Sequence, residues 1–175
     1  MVIRATTDAD AAALNALVSS VARERIHLAS TQGFTLQQTR EYLAALRASG
    51  GIALLGLNQD EVVGWVDIAP GPFEGLTHCG RLGMGLAIQA RGQGHGKALL
   101  DRALEAAFDR LERVDLEVLA SNDRAQRLYR RCGFVEEGRR RHARRTEEGY
   151  GDILIFGLLR NDYRRGPITG DLPRP

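Results

Sequence analysis

The segment Arg91-Gly92-Gln93-Gly94-His95-Gly96 constrains this chain more than any other. It lies between a stretch of alternating apolar residues and a stretch of helical periodicity. Glycine at every second position lets the backbone pass close to a ligand and take positive φ. Consecutive N–H groups then turn inward, and the helix that follows adds its partial positive charge at the same end. Such an arrangement is a pyrophosphate site. It is neither of two familiar phosphate loops. A Walker loop needs GxxxxGK[ST], but Arg91 stands where the first glycine belongs and Ala98 follows Lys97. A GxGxxG fingerprint started at Gly92 or Gly94 reaches Lys97 or Leu99 in its third place. A tight turn with glycines placed only for packing is the competing reading.

The flanks predict a mixed sheet. Leu82, Met84, Leu86 and Ile88 alternate with small or polar residues, so a strand is expected over 77–88. After the loop, Leu100, Ala103, Leu104, Ala107, Phe108 and Leu111 form one helical side. Val114, Leu116 and Val118 then mark a second strand. A strand–helix–strand crossover makes its two strands parallel. A further helix is expected over 122–132, stopped by Gly133. Upstream, residues 2–5 read as a short strand and Leu14, Leu17, Val18 and Val21 as a helical face. Thr35 to Gln38 reads as a capping box that opens a second helix, with Tyr42, Leu43 and Leu46 as its stripe. Residues 51–57 and 61–69 form a hairpin across Asn58-Gln59-Asp60, and 134–141 with 150–159 an antiparallel pair.

Composition narrows the class. The chain has 175 residues, 43% hydrophobic and 26% charged, enough for one domain with a core. A single domain over 1–161 and a flexible tail over 162–175 are expected. No apolar run is long enough to span a membrane, and the N-terminus lacks a secretory pattern. Cys79 and Cys132 lie far apart, without metal spacing, so reduced thiols, a cytoplasmic location and no metal are expected. The net charge of +2 does not imply nucleic acid. The run Arg139, Arg140, Arg141, His142, Arg144, Arg145 is the one nucleic-acid-like feature, and it reads best as a solvated edge strand.

A second signal is Asn122, followed seven residues later by Tyr129 and then by Gly133-Phe134. Two helical turns bring Asn122 and Tyr129 near one face. Taken alone, they read better as an N-cap and an ordinary buried stripe. Combined with the loop, however, these residues resemble the GNAT family of N-acetyltransferases. Arg91, Gly94 and Gly96 match its [Q/R]-x-x-G-x-[G/A] motif. Residues 129–134 resemble its Y-x-x-x-G-F ending, preceded by the similar lead-in Leu116 to Asn122. Gly149-Tyr150-Gly151-Asp152 resembles a closing strand in the subgroup of ribosomal-protein and amino-acid N-acetyltransferases. Ala90 and Ile88 depart from the aromatic residue and proline often found there.

The resemblance implies an α/β (α+β) fold. It would have a mostly antiparallel sheet of six or seven strands, a central splayed parallel pair and about four helices. Gly83 and Gly85 would either form a bulge that starts the splay or merely relieve crowding. The resemblance further implies direct acetyl transfer from acetyl-CoA to a primary amine, of a small molecule or a protein N-terminus. A homodimer is compatible with it. The cofactor-binding residues would be Leu86, Ala87, Ile88, Arg91, Gly92, Gln93, Gly94, His95, Gly96, Lys97 and Asn122, with a backbone N–H near Leu86 supporting the oxyanion. Tyr129 would protonate the departing thiolate. Glu24 is the candidate general base, with Asp67 and His78 as alternatives. Cys79 reads as a core residue. The competing function is a non-catalytic acyl-CoA-binding or sensing module.

Overall fold

The computed structural model describes residues 1–147 and 149–163. Among these, seven strands form one sheet and four α-helices cover it. In chain order the elements are β1 (Val2–Ala5), α1 (Ala11–Arg23), α2 (Leu36–Ala48), β2 (Ile52–Asn58), β3 (Glu61–Pro70) and β4 (Cys79–Leu86). They continue with α3 (His95–Ala107), β5 (Arg113–Leu119), α4 (Asp123–Arg131), β6 (Val135–Thr146) and β7 (Gly149–Leu159). The strand order is β1-β2-β3-β4-β5-β7-β6. Every neighbouring pair is antiparallel except β4 and β5, which are joined through α3. None of the described helices is long and apolar enough to cross a membrane.

Period-two alternation along the strands sends residues to two cores. Val66, Ile68, Leu82, Val114, Leu116, Val118 and Phe156 meet the buried face of α3 and Tyr129 of α4. Leu55, Val63 and Trp65 turn the other way, onto Leu14, Leu17 and Val21 of α1 and Leu43 of α2. The Thr35 hydroxyl accepts from the Gln38 amide at 3.2 Å while the Gln38 side chain accepts from the Thr35 amide at 2.9 Å, so α2 starts with the expected reciprocal cap. Gln59 and Asp60 both take positive φ, +47° and +68°, giving the two-residue turn between β2 and β3. At the chain's start, Asp10 binds both Nη atoms of Arg4 at 2.7 Å and the Thr7 amide at 2.7 Å, fastening β1 to α1.

The central pair splays. β4 and β5 stay in register only from Cys79↔Arg113 to Leu82↔Leu116. Beyond that point β4 remains paired with β3 as far as Leu86, and β5 with β7 as far as Leu119. One edge of each strand therefore faces a gap. No bulge produces it, because the β3–β4 register runs unbroken from Pro70↔Gly80 to Gly64↔Leu86. Gly83 and Gly85 serve close packing instead. A Cβ on Gly85 would lie 2.2 Å from the Trp65 ring, and one on Gly83 3.2 Å from the Asp67 carboxylate.

The last two strands are longer than expected. Asp152 accepts from the His142 amide at 2.8 Å and from Arg139 Nε at 2.6 Å, which holds β6 to β7 across an irregularity between Arg140 and Arg144. Of the expected tail 162–175, Asp162 closes a 3-10 turn and the Tyr163 ring packs 5.2 Å from that of Phe108. The remainder of that tail, 164–175, lies outside the described residues.

Candidate active site

The site begins where β4 ends. The Ala87 amide donates to the Val63 carbonyl at 2.9 Å, toward β3. Amides alternate in direction along a strand. Those of Met84 and Leu86 therefore point the opposite way, into the gap. This edge of backbone accommodates an extended amide-bearing chain as an added strand. Of the three positions expected to line it, Leu86 thus offers an amide. The Ala87 amide is already used, and Ile88 spends its carbonyl on the Arg91 amide while its side chain is exposed.

The glycine loop follows immediately. Gly92 and Gly94 adopt φ of +83° and +85°, which ordinary residues avoid. Gly94 is the N-cap of α3. The amides of residues 92–96 donate to no group among the described residues. They form a set of free donors at a helix N-terminus, aimed out of the fold. A Cβ built on Gly94 meets nothing within 4 Å, so the space over the loop is open. Gly96 is required for a different reason. Its Cβ would stand 3.3 Å from Leu128 and 3.4 Å from Leu86, so its small size lets α3, α4 and β4 converge.

The loop's side chains mostly bind locally. Gln93 donates to the Gln89 carbonyl at 2.8 Å, and Lys97 pairs with Asp101 one turn along α3 at 2.5 Å. Arg91 turns away from the loop. Its Nη1 and Nη2 donate to the two oxygens of Glu24 at 2.7 and 2.6 Å, while Nε and Nη2 reach the Leu86 carbonyl at 3.0 and 2.9 Å. Arg91 thereby ties the end of α1 to the last residue of β4. His27 Nε2 completes the cluster, 3.1 Å from Arg91 Nη1 and 3.2 Å from Glu24.

This pairing bears on Glu24. Hydrogen bonds from Arg91 hold its pKa below the ordinary carboxylate range, against the opposing effect of burial. A carboxylate so stabilised accepts a proton less readily than a free one. Burial and then Arg91 lower the pKa of His27, which leaves that imidazole neutral at pH 7. His27 did not stand out in the sequence, because its partner Arg91 lies 64 residues away.

Asn122 caps α4 through its Oδ1, which accepts from the Ala125 amide at 3.2 Å. Its side-chain N–H groups remain available beside the end of β5. Gln126, also missed from sequence, is buried and donates to the Ala120 carbonyl at 2.8 Å, fastening α4 to that strand end. Tyr129 is 7% exposed, its ring 5.8 Å from Phe134 and 6.3 Å from Phe156. No described residue hydrogen-bonds its hydroxyl. Burial pushes its pKa above the ordinary phenol value, so it keeps its proton at any working pH.

The remaining candidates separate from this centre. His78 is exposed, and its carbonyl takes the amides of Glu112 and Arg113 at 2.8 and 3.2 Å. Burial raises the pKa of the Cys79 thiol, which argues against a nucleophile. Much of the arginine run is paired within the chain. Arg139 pairs with Asp152 and Arg140 with Glu117, while Arg144 is buried and donates to the carbonyls of Arg25 and Leu28 at 2.7 and 3.1 Å.

Comparison with known proteins agrees with this geometry. Residues 16–134, more than half of the chain, match the Acetyltransferase (GNAT) family. A stretch of 80 residues, 45% of this chain, is 32% identical to a spermidine N(1)-acetyltransferase of Vibrio cholerae and spans only 46% of that relative. Among solved structures, a ribosomal-protein-alanine N-acetyltransferase from Brucella melitensis is similar with a TM-score of 0.85 at 26% identity. That similarity covers 91% of this chain and 99% of the other. A GNAT-family acetyltransferase from Streptococcus pneumoniae gives 0.83 at 28% identity, over 90% of this chain and 98% of that one.

Proposed function

The chain belongs to the GNAT acetyltransferase family, and on that premise we propose that it transfers the acetyl group of acetyl-CoA to a primary amine. The amine belongs to a small molecule or to a peptide N-terminus. One observation carries the reading: the open edge of β4 leads directly into five free amides at the start of α3. A pantetheine arm adds along the first, and a pyrophosphate sits on the second. Two of the relatives named above, one for spermidine and one for ribosomal-protein alanine, are named for acetylating nitrogen.

In this reading residues 92–96 hold the pyrophosphate through their amides, with His95 and Lys97 at its edge. Asn122 donates to the arm from the β5 side. Arg91 and Glu24 act as positioning residues, keeping the α1 end on the Leu86 carbonyl so that loop and strand edge stay in register. The amine nitrogen attacks the thioester carbonyl, forming a C–N bond. The Leu86 amide stabilises the oxyanion. As the C–S bond breaks, Tyr129 gives its hydroxyl proton to the thiolate.

The test is amine-dependent release of free CoA thiol by the purified protein. Amino acids, polyamines and peptide N-termini would be offered with acetyl-CoA, and products identified by mass. The reading expects thiol release with at least one amine class and a matching 42-Da gain (about one acetyl group replacing hydrogen). Acetyl-CoA binding with no amine-dependent release across the panel would favour the non-catalytic module.

A further inference from the structure

The proposed transfer needs a neutral amine, and Glu24 is occupied by Arg91. Another proton acceptor lies on β3, beside the last paired stretch of β4. Asp67 of β3 lies directly across from Gly83, the first β4 residue beyond the last β4–β5 pair. A Cβ on Gly83 would stand 3.2 Å from the Asp67 carboxylate, so the glycine leaves room beside these oxygens where β4 parts from β5. The Tyr42 hydroxyl of α2 donates to Asp67 Oδ2 at 2.5 Å. The Trp65 side chain, two residues along the same face, acts with Tyr42 to lower the pKa of this carboxyl.

We propose that Asp67 is a catalytic residue that binds the ammonium of a cationic acceptor and takes its proton. The proposal rests on the acetyltransferase reading above and names the group which that reading lacks.

The surroundings of Asp67 argue for this role. Its antiparallel partner on β2 is Ala53, and its partner on β4 is Gly83, neither of which carries charge. Arg81, the next β4 residue on that face, pairs instead with Glu117 of β5 at 3.1 Å. From α2 it meets Tyr42, and from its own strand Trp65, both neutral. No cation among the described residues pairs with Asp67. A carboxylate enclosed without a countercharge is costly, and an incoming ammonium supplies that charge. Burial raises its pKa to about 6, with Tyr42 and Trp65 pulling partly the other way. A base of that strength is mostly ionised at neutral pH yet still accepts a proton from a bound amine.

The protons balance. Of the three on the ammonium, one passes to Asp67 and then to water. One stays on the amide nitrogen. The third leaves when the tetrahedral adduct collapses and, through solvent, restores the proton that Tyr129 gave to the thiolate. The C–N bond forms, the C–S bond breaks, and CoA departs as the thiol.

The test is Asp67→Asn, which keeps the shape and still accepts from Tyr42. The pH dependence of kcat/KM for the amine is measured for both proteins, with acetyl-CoA affinity by calorimetry. The expected result is an acidic limb near pH 6 in the wild type. In the variant that limb disappears and kcat/KM at pH 7.5 falls at least about tenfold, with acetyl-CoA affinity unchanged. A variant that keeps the wild-type limb overturns the proposal while leaving the acetyltransferase reading intact. A wild type that transfers to no amine removes both. Tyr42→Phe separates packing from chemistry: loss of one donor should shift the limb upward in pH, whereas a purely structural role for Asp67 leaves the limb where it was.

Discussion

Replacing Glu24 with Gln tests whether this carboxylate positions the loop or takes a proton. The side chains of Arg91 and Glu24 are 16% and 23% exposed, so solvent screens their pairing only in part. Two charge-assisted hydrogen bonds join them. Each such bond contributes about 1.5–3 kcal/mol net. Gln retains one acceptor oxygen but loses the charge, so a loss of about 2 kcal/mol is expected at pH 7. In a domain of this size each kcal/mol moves Tm by roughly 2–4 °C, giving a drop of roughly 4–8 °C. The pH sign follows from the lowered pKa. The stabilisation is present above the ordinary value of 4.5 and is lost as pH falls through the depressed value. The gap between wild type and Glu24→Gln should therefore close in strong acid. Thermal denaturation across pH, beside pH–rate profiles, decides the matter. A variant of unchanged Tm that loses the acidic limb would make Glu24 the base and refute the positioning role.

Gly94→Val should fold, because nothing lies within 4 Å of the new Cβ, although φ of +85° strains a β-branched residue. Its acetyl-CoA dissociation constant should rise at least tenfold, about 1.4 kcal/mol, by calorimetry; an unchanged constant in a folded variant counts against the loop as the pyrophosphate site. Asp10→Asn should lower stability at pH 7 by about 1–3 kcal/mol in urea denaturation, since Asp10 accepts from both Arg4 and Thr7. Those partners hold its pKa well below the ordinary 3.8, so the difference should persist above that pH and vanish as pH falls through the depressed value. A difference independent of pH would mean that packing, rather than charge, is what Asp10 contributes.

Local chemistry was legible in the sequence. The capping box at Thr35, the turn at Gln59-Asp60 and the strand–loop–helix around Gly94 each depend on residues close in the chain, and all took the expected form. The splay was expected from resemblance, and of the two readings left open for Gly83 and Gly85 the packing one holds: they make room for Asp67 and Trp65 across the strand. That choice depends on cross-strand register, which spacing alone does not reveal. The Arg91–Glu24–His27 cluster was hidden because Arg91 meets the other two across 67 and 64 residues of chain. Arg144 read as one of a solvated run, yet it is the member that is buried, because the β6–β7 hairpin brings it against the segment after α1. Tyr42 read as part of an apolar stripe, whereas the residue is 44% exposed and its hydroxyl is what the fold uses.

In the proposed transfer the acetyl group moves at the β4–β5 gap and Tyr129 protonates the leaving thiolate. Its most direct test is kcat for wild type and Tyr129→Phe on the same amine, with acetyl-CoA binding and Tm measured on the same preparations. The substitution removes one hydroxyl that no described residue binds, and keeps the ring against Phe134 and Phe156. Tm and affinity should therefore hold. General-acid assistance is worth about 10²- to 10⁴-fold, so kcat should fall within that range. A fall of less than about threefold, under 1 kcal/mol of barrier, contradicts the assignment and leaves the thiolate's proton to water.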